Sequence, residues 1–170
     1  MTAITQPLRD EHKELAPHIE HLRTVADGID TAPPDALALA VDHVYDFLAH
    51  HLIPHAEAEE RALYPAVAKA IGAPEATLTM SRDHVEVRAL TEDLRALREA
   101  AGAHALAHEQ VHELRRVLYG LYALVKVHFA KEEEVYLPIL DERLSEADAR
   151  AMFEALGQAA PAAKEHAGAH

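Results

Sequence analysis

A histidine four residues before a glutamate puts an imidazole and a carboxylate on the same face of a helix. His55 with Glu59 and His128 with Glu132 are such pairs in this 170-residue chain. Two pairs are about what chance allows among 14 histidines, so the spacing alone says little. The residues after each pair say more. His55 opens HAEAEERALYP, ending at Pro65, and His128 opens HFAKEEEVYLP, ending at Pro138. Histidine, glutamate pair and proline keep their registers at an offset of 73 residues, with a tyrosine shortly before each proline. A second echo lies upstream. DEH ends at His12 and RDH ends at His84, 72 residues apart, and Leu22 and Leu94 keep that offset. His12 shares an apolar stripe with Leu8, Leu15 and Ile19, and His84 shares one with Met80, Val87 and Thr91, so both imidazoles should point inward. The chain reads as a duplicated helical hairpin, each half supplying one histidine from its first helix and a His/Glu pair from its second.

Four imidazoles and two carboxylates in an apolar interior need compensation, because a bare polar group or unpaired charge there is costly. Metal ions supply it, and this donor set suits iron, manganese or zinc. Two bridging carboxylates with two histidines per metal would leave coordination positions open, as oxygen chemistry at an iron pair requires. The expected metal-binding residues are therefore His12, His55, Glu59, His84, His128 and Glu132. Core histidines satisfied by hydrogen bonds alone would leave the paired registers unexplained.

The elements that must hold these groups are helices. Apolar residues recur at intervals of three and four, as in Leu114, Leu118, Leu121, Val125 and Phe129, and no stretch alternates long enough for a strand. Pro7 suits a first turn, and Gly28 ends the first helix; Pro34–Asp35 opens a second that stops at Gly72. A third is expected from Ala73–Pro74 to about Gly102, and a fourth from about His104 to Asp141. Ser145 and Asp148 resemble a capping box opening a short fifth helix that ends at Leu156, leaving 157–170 as a flexible tail on a domain of residues 1–156. Pro17, Pro54, Pro65 and Pro138 fall inside helical patterns, where each should kink or end its helix. The fold class expected is all-α, an up-down-up-down four-helix bundle with a short C-terminal helix.

Composition narrows the function. Hydrophobic residues make up 49%, enough for one core, and there is no cysteine, which excludes disulfides, zinc ribbons, iron–sulfur clusters and thiol nucleophiles. A formal charge of −13 opposes nonspecific binding to nucleic acid or anionic membranes. Met1–Asp10 has no apolar leader core and no run of apolar residues is long enough to span a bilayer, so a cytoplasmic protein is expected.

At DEHKELAPHIEHL (Asp10–Leu22), HAEAEERALYP, DHVEVRAL (Asp83–Leu90) and HFAKEEEVYLP the chain resembles the hemerythrin-like, or HHE cation-binding, domain family. The resemblance implies two iron ions joined by an oxo or hydroxo bridge, with His12, His55, His84 and His128 as terminal ligands and Glu59 and Glu132 bridging. Oxygen-carrying hemerythrins have two histidines four apart on the third helix and an aspartate five residues after the last histidine. Here Arg88 stands four after His84, and Glu132 stands four after His128. The site is thus more symmetric and more open than a carrier's, and it is closer to hemerythrin-like proteins of actinobacteria, some of them associated with catalase-like disposal of peroxide. The expected partners are small molecules: H2O2 for an enzyme, or O2, NO or iron for a sensing or storage module without turnover. A structural zinc bundle is a third reading.

Other residues take lesser expectations. His51, four before His55, could flank the site or join it, although its repeat counterpart is Leu124. Glu60 and Glu133 should orient imidazole N–H groups or face solvent, and Glu134 should be surface charge. One of the five tyrosines could ligate the metals or supply a proton; Tyr64 and Tyr136 are expected to pack under the loops, His18 to be exposed, and His104, His108 and His112 to line a solvated helix face.

Overall fold

The computed structural model describes residues 3–167, with side chains to residue 159. Among the described residues there is no strand. Helix α1 is Gln6–Gly28. Helix α2 runs through 34–71 without a break, its α-helical parts Pro34–Phe47, Ile53–Ala58 and Tyr64–Ile71 joined by π-helical turns at Leu48–Leu52 and Glu59–Leu63. Helix α3 is Leu78–Ala103; α4 spans 108–143 as His108–Lys131, a π-helical turn Glu132–Tyr136, and Leu137–Arg143; α5 is Glu146–Ala167. Helices α1 and α3 each pack against both α2 and α4, which closes the four into a bundle, and α5 lies along the middle of α2. No helix of the described residues is long and apolar enough to cross a membrane.

Of the two outcomes expected at the prolines, a kink or an end, none of the four ends its helix, and at three of them π-helical turns are the reason. The N–H groups of Ile53, Tyr64 and Leu137 bond carbonyls five residues back, at Leu48, Glu59 and Glu132. Each widened turn sits just before Pro54, Pro65 or Pro138. It relieves the clash that a proline ring would make with the carbonyl four residues back in a regular helix. Helix α1 likewise continues through Pro17.

Three boundaries differ from the sequence reading. Gly72, at φ 77°, caps α2 in the left-handed conformation, and residues 73–77 then form turns before α3 begins at Leu78. Pro74 disfavours helix at the residue before it. His104 is extended rather than helical, and α4 starts where the Gln110 side chain accepts the Ala107 N–H at 2.9 Å. Ser145 caps α5 as expected, accepting the Asp148 N–H at 3.1 Å, but the helix passes Gly157 and reaches Ala167. One glycine in an alanine-rich run costs only about 1 kcal/mol. The tail expected over 157–170 is therefore helical as far as Ala167; residues 168–170 lie outside the described residues.

The core forms two apolar layers. One gathers Leu22, Val41, Leu48, Leu94, Leu114, Leu118 and Leu121; the other gathers Leu8, Leu63, Val67, Met80, Leu137 and Leu140, with Met152 of α5. Along every helix, the histidines and glutamates singled out above fall between these layers. The bundle thus closes its polar centre from both ends with apolar side chains, save that Tyr64 of the second layer turns its hydroxyl into the centre.

Candidate metal centre

All six expected residues are buried and converge. Glu59 and Glu132 are 1% and 0% exposed, and His12, His55, His84 and His128 are nearly as enclosed. One oxygen of Glu59 lies 3.0 Å from His55 Nε2 and 3.9 Å from His12 Nε2, while its other oxygen lies 3.4 Å from His84 Nε2. Glu132 divides the same way, Oε2 being 3.4 Å from His12 Nε2 and Oε1 3.4 Å from His128 Nε2. Glu59 thus reaches both imidazoles of the first hairpin and His84 of the second, while Glu132 reaches one imidazole of each hairpin, His12 and His128. Two donor groups have metal-compatible spacing, His12–His55–Glu59 and Glu59–His84–His128, and they share Glu59.

The chemistry of these donors calls for cations. His12 Nε2, His55 Nε2, both Glu59 oxygens and Glu132 Oε2 are buried without a hydrogen-bond partner. Leaving such a group unsatisfied costs roughly 1–3 kcal/mol, and native interiors seldom tolerate even one. His84 Nε2 and His128 Nε2 face each other at 3.0 Å. With a proton on each Nδ1, two lone pairs meet there, an arrangement that a positive ion between them would relieve.

The outer ring nitrogens are each held by a carboxylate. The Nδ1 atoms of His12, His55, His84 and His128 lie 2.9, 3.1, 2.9 and 3.0 Å from Glu133, Glu11, Glu60 and Asp83. Each Nδ1–H donates outward, which fixes the ring and turns Nε2 into the centre, where it can hold a metal ion once any proton on it is displaced. The pattern obeys the internal repeat. Glu60 and Glu133 follow the inward glutamates and cross to α3 and α1, while Glu11 and Asp83 precede the histidines of α1 and α3. Glu60 and Glu133 were anticipated. Glu11 and Asp83 were not, although an acidic residue directly before each of these histidines was a visible signal. Arg9 further anchors Glu133 at 2.6 Å, Ser81 donates to Glu60 at 2.8 Å, and Lys131 pairs with Asp83. Replacing Glu60 or Glu133 with glutamine is expected to weaken metal affinity by roughly 10–100-fold while the fold stays intact. Competition against a chelator of known affinity measures it.

The metal-free electrostatics reflect this crowding. Burial disfavours the His12 cation, yet contact with Glu132 and Glu59 outweighs it and lifts the pKa to about 9. His55 is raised well above its ordinary value, burial again being outweighed, here by Glu59 and Glu11. Burial alone would raise Glu59, but His55, His12 and His84 hold it well below the usual carboxylate range. Metal binding at this site must therefore expel protons from imidazoles.

One residue breaks the symmetry. Tyr64, 3% exposed, donates its hydroxyl proton to Glu132 at 3.0 Å and lies 3.2 Å from Nε2 of both His84 and His128. Burial and the negative charges of Glu59 and Glu132 push the phenol far above its usual pKa, so it stays protonated. Tyr136 instead donates to the Ala76 carbonyl at 2.9 Å. The expectation that both tyrosines pack under loops thus fails for Tyr64, because the two do not share a register. At the 73-residue offset, Tyr64 corresponds to Leu137, and a one-residue shift turns a side chain about 100° around a helix. On the opposite side, Phe129 stacks on His12 with ring centres 4.3 Å apart; its repeat counterpart is Ala56.

The remaining candidates lie elsewhere. His51 is exposed and is in neither metal-compatible group; His18 is exposed as expected, stacked on Phe47, and Glu134 is exposed. His104 is off the helix, leaving His108 and His112 as an exposed pair with Nε2 atoms 3.2 Å apart.

Fold and site together define a helical bundle built around a buried His/Glu metal-binding site. The model of the hemerythrin HHE cation-binding domain matches residues 3–140 and, in a second match, 79–167. The chain belongs to that family. No curated protein and no solved structure matched the chain.

Proposed function

We infer that the protein holds two iron ions, joined by an oxo or hydroxo bridge, and disposes of hydrogen peroxide in the cytoplasm. The observation behind this reading is that Glu59 is shared by the His12–His55 and His84–His128 pairs while Glu132 reaches one imidazole of each; His12 and His55 would hold one ion and His84 and His128 the other, with both glutamates between them. An iron pair prefers more donors than that, so positions stay open for a small ligand. When bound, such a pair supplies two electrons to one peroxide and recovers them from another, so that two H2O2 become one O2 and two H2O.

The chain's own groups suit that task. Leu52, Val87, Val125 and Phe129 roof a small chamber beside His55, Glu59, His84 and His128 with room for about one water-sized molecule. The apolar roof leaves no room there for a molecule much larger than water. Tyr64 stands across the centre from that chamber, where it keeps a proton at its hydroxyl beside Glu132 and 3.2 Å from Nε2 of His84 and His128, the two imidazoles that also border the chamber. The outer carboxylates hold the four rings still while charge changes between them.

Adding H2O2 to iron-loaded protein tests the reading. One O2 for every two peroxides, at a rate above that of free iron, is the expected result, with Tyr64→Phe slower by about tenfold or more. No evolution above free iron would end the enzymatic reading. A stable, reversible O2 or NO adduct without turnover would favour a binding or sensing module, for which the same small chamber is suited.

A further inference from the structure

Two openings approach the centre from the sides of α1, and they differ in charge. The one between α1 and α4 reaches His12 and Phe129, and there Glu20 and Glu133 are paired with Lys126 and Arg9, with Lys13 beside them, so no net negative charge faces the opening. The cleft between α1 and α2 has no lysine or arginine among its described lining residues. It consists of two connected hollows. The outer, about 590 Å³, is lined by Glu14, His18, His21, His43, Asp46 and His51 over a floor that includes Phe47. The inner, about 430 Å³ and walled on one side by Phe153 and Leu156 of α5, shares Glu14 and His51 and continues past Glu11 to His55 and Glu59 themselves.

The donors follow the helices. Glu11, Glu14, His18 and His21 recur at three and four along one face of α1, and His43, Asp46 and His50, with His51 and His55, do so along the facing side of α2. The repeat accounts for the acidic positions, Glu11 and Glu14 recurring as Asp83 and Glu86, but not for most of the others. The counterparts of His18, His43, Asp46 and His51 are Leu90, Arg116, Tyr119 and Leu124. The inner end is also the least secured part of the centre. Glu11 is 50% exposed and its contact with His55 is its sole ion pair among the described residues, whereas its counterpart Asp83 is 18% exposed and paired with Lys131.

The geometry points to a loading route: the α1/α2 cleft collects divalent metal ions and passes them, through Glu14, His51 and Glu11, to His55 and Glu59. This rests on the reading of the buried centre as a metal site. Neutral imidazoles and carboxylates bind ferrous ions weakly and exchange them quickly. No three of the cleft's donors lie close enough to form a resting site among the described residues, so the cleft suits passage rather than storage. A negatively biased cleft with low-dielectric walls also concentrates cations at its mouth.

The test uses the full metal-free chain, mixed anaerobically with ferrous ion and quenched at intervals with a ferrous chelator, so that protected iron is counted against time. A variant combining His18→Asn, His21→Asn, His43→Asn and His51→Leu alters only exposed positions; leucine is already the residue at 124. It is expected to load about tenfold more slowly and reach the same final iron per chain. A companion variant, His104→Asn with His108→Asn and His112→Asn, is expected to load at the unaltered rate. Equal rates for all three proteins, or equal slowing of both variants, would overturn the route. An unaltered chain that protects no iron at any time would instead end the reading of the centre itself, which the comparison of rates keeps separate.

Discussion

Glu59→Ala is expected to reduce metal content from two tightly held ions per chain to one at most. Glu59 is the single carboxylate shared by both metal-compatible donor groups, with one oxygen turned to each hairpin's imidazoles. Removing it strips a charged donor from both positions at once and leaves His55 and His84 facing a void. A loss beyond 100-fold in affinity at each position is expected, larger than for Glu60 or Glu133, which act only through an imidazole. Glu59→Gln keeps the volume and removes the charge, so it separates lost ligation from cavity formation; it should lose metal nearly as completely. Metal analysis after dialysis, with circular dichroism to confirm helix content, gives the answer. Retention of two ions by either variant would refute the shared-carboxylate assignment.

Stripping the metal is expected to lower the thermal midpoint by roughly 15–30 °C without unfolding the bundle at room temperature. Each ion present at a thousand times its dissociation constant contributes about 4 kcal/mol. Two contribute about 8 kcal/mol, and a chain of this length shifts by about 2–4 °C per kcal/mol. The bundle should survive because its two leucine-rich layers do not depend on the polar centre between them. The effect should widen with pH. In the metal-free protein His12 has a folded pKa of about 9, above its unfolded value, so its contribution is full below pH 6.5 and is lost as pH rises through 9. Glu59, held low, contributes above its ordinary range and loses that contribution only on acidification. The loaded protein has already released its imidazole protons and gains affinity over the same rise. Calorimetry at pH 6 and pH 9, with and without chelator, checks this. A gap that narrows with pH, or a midpoint indifferent to chelation, would contradict it.

Much of the centre was legible in residue order, because a duplicated hairpin writes each functional position twice. His12 and His84 are ordinary alone and become visible through their shared offset from the His/Glu pairs. The same comparison would have exposed Glu11 and Asp83, had the residue before each histidine been weighed with the histidine. It would also have separated Tyr64 from Tyr136, since the two tyrosines miss each other's register by one position. The prolines were harder. Pro54, Pro65 and Pro138 carry a local signal for helix termination, and only the π-helical turns, which cost nothing visible in composition, reconcile them with continuous helices. The start of α4 was hidden for a similar reason: the group that sets it is a side chain reaching back from Gln110, three residues inside the helix. The C-terminal helix overran its expected end because alanine propagates a helix past a single glycine.

The central claim, a buried two-metal site shared between the hairpins, is tested most directly by metal analysis and absorption of the full chain purified without chelators. Two iron ions per chain, with near-ultraviolet bands from an oxygen bridge between them, is the expected result. A chain that holds no metal, or binds one ion per molecule at saturation, would contradict it.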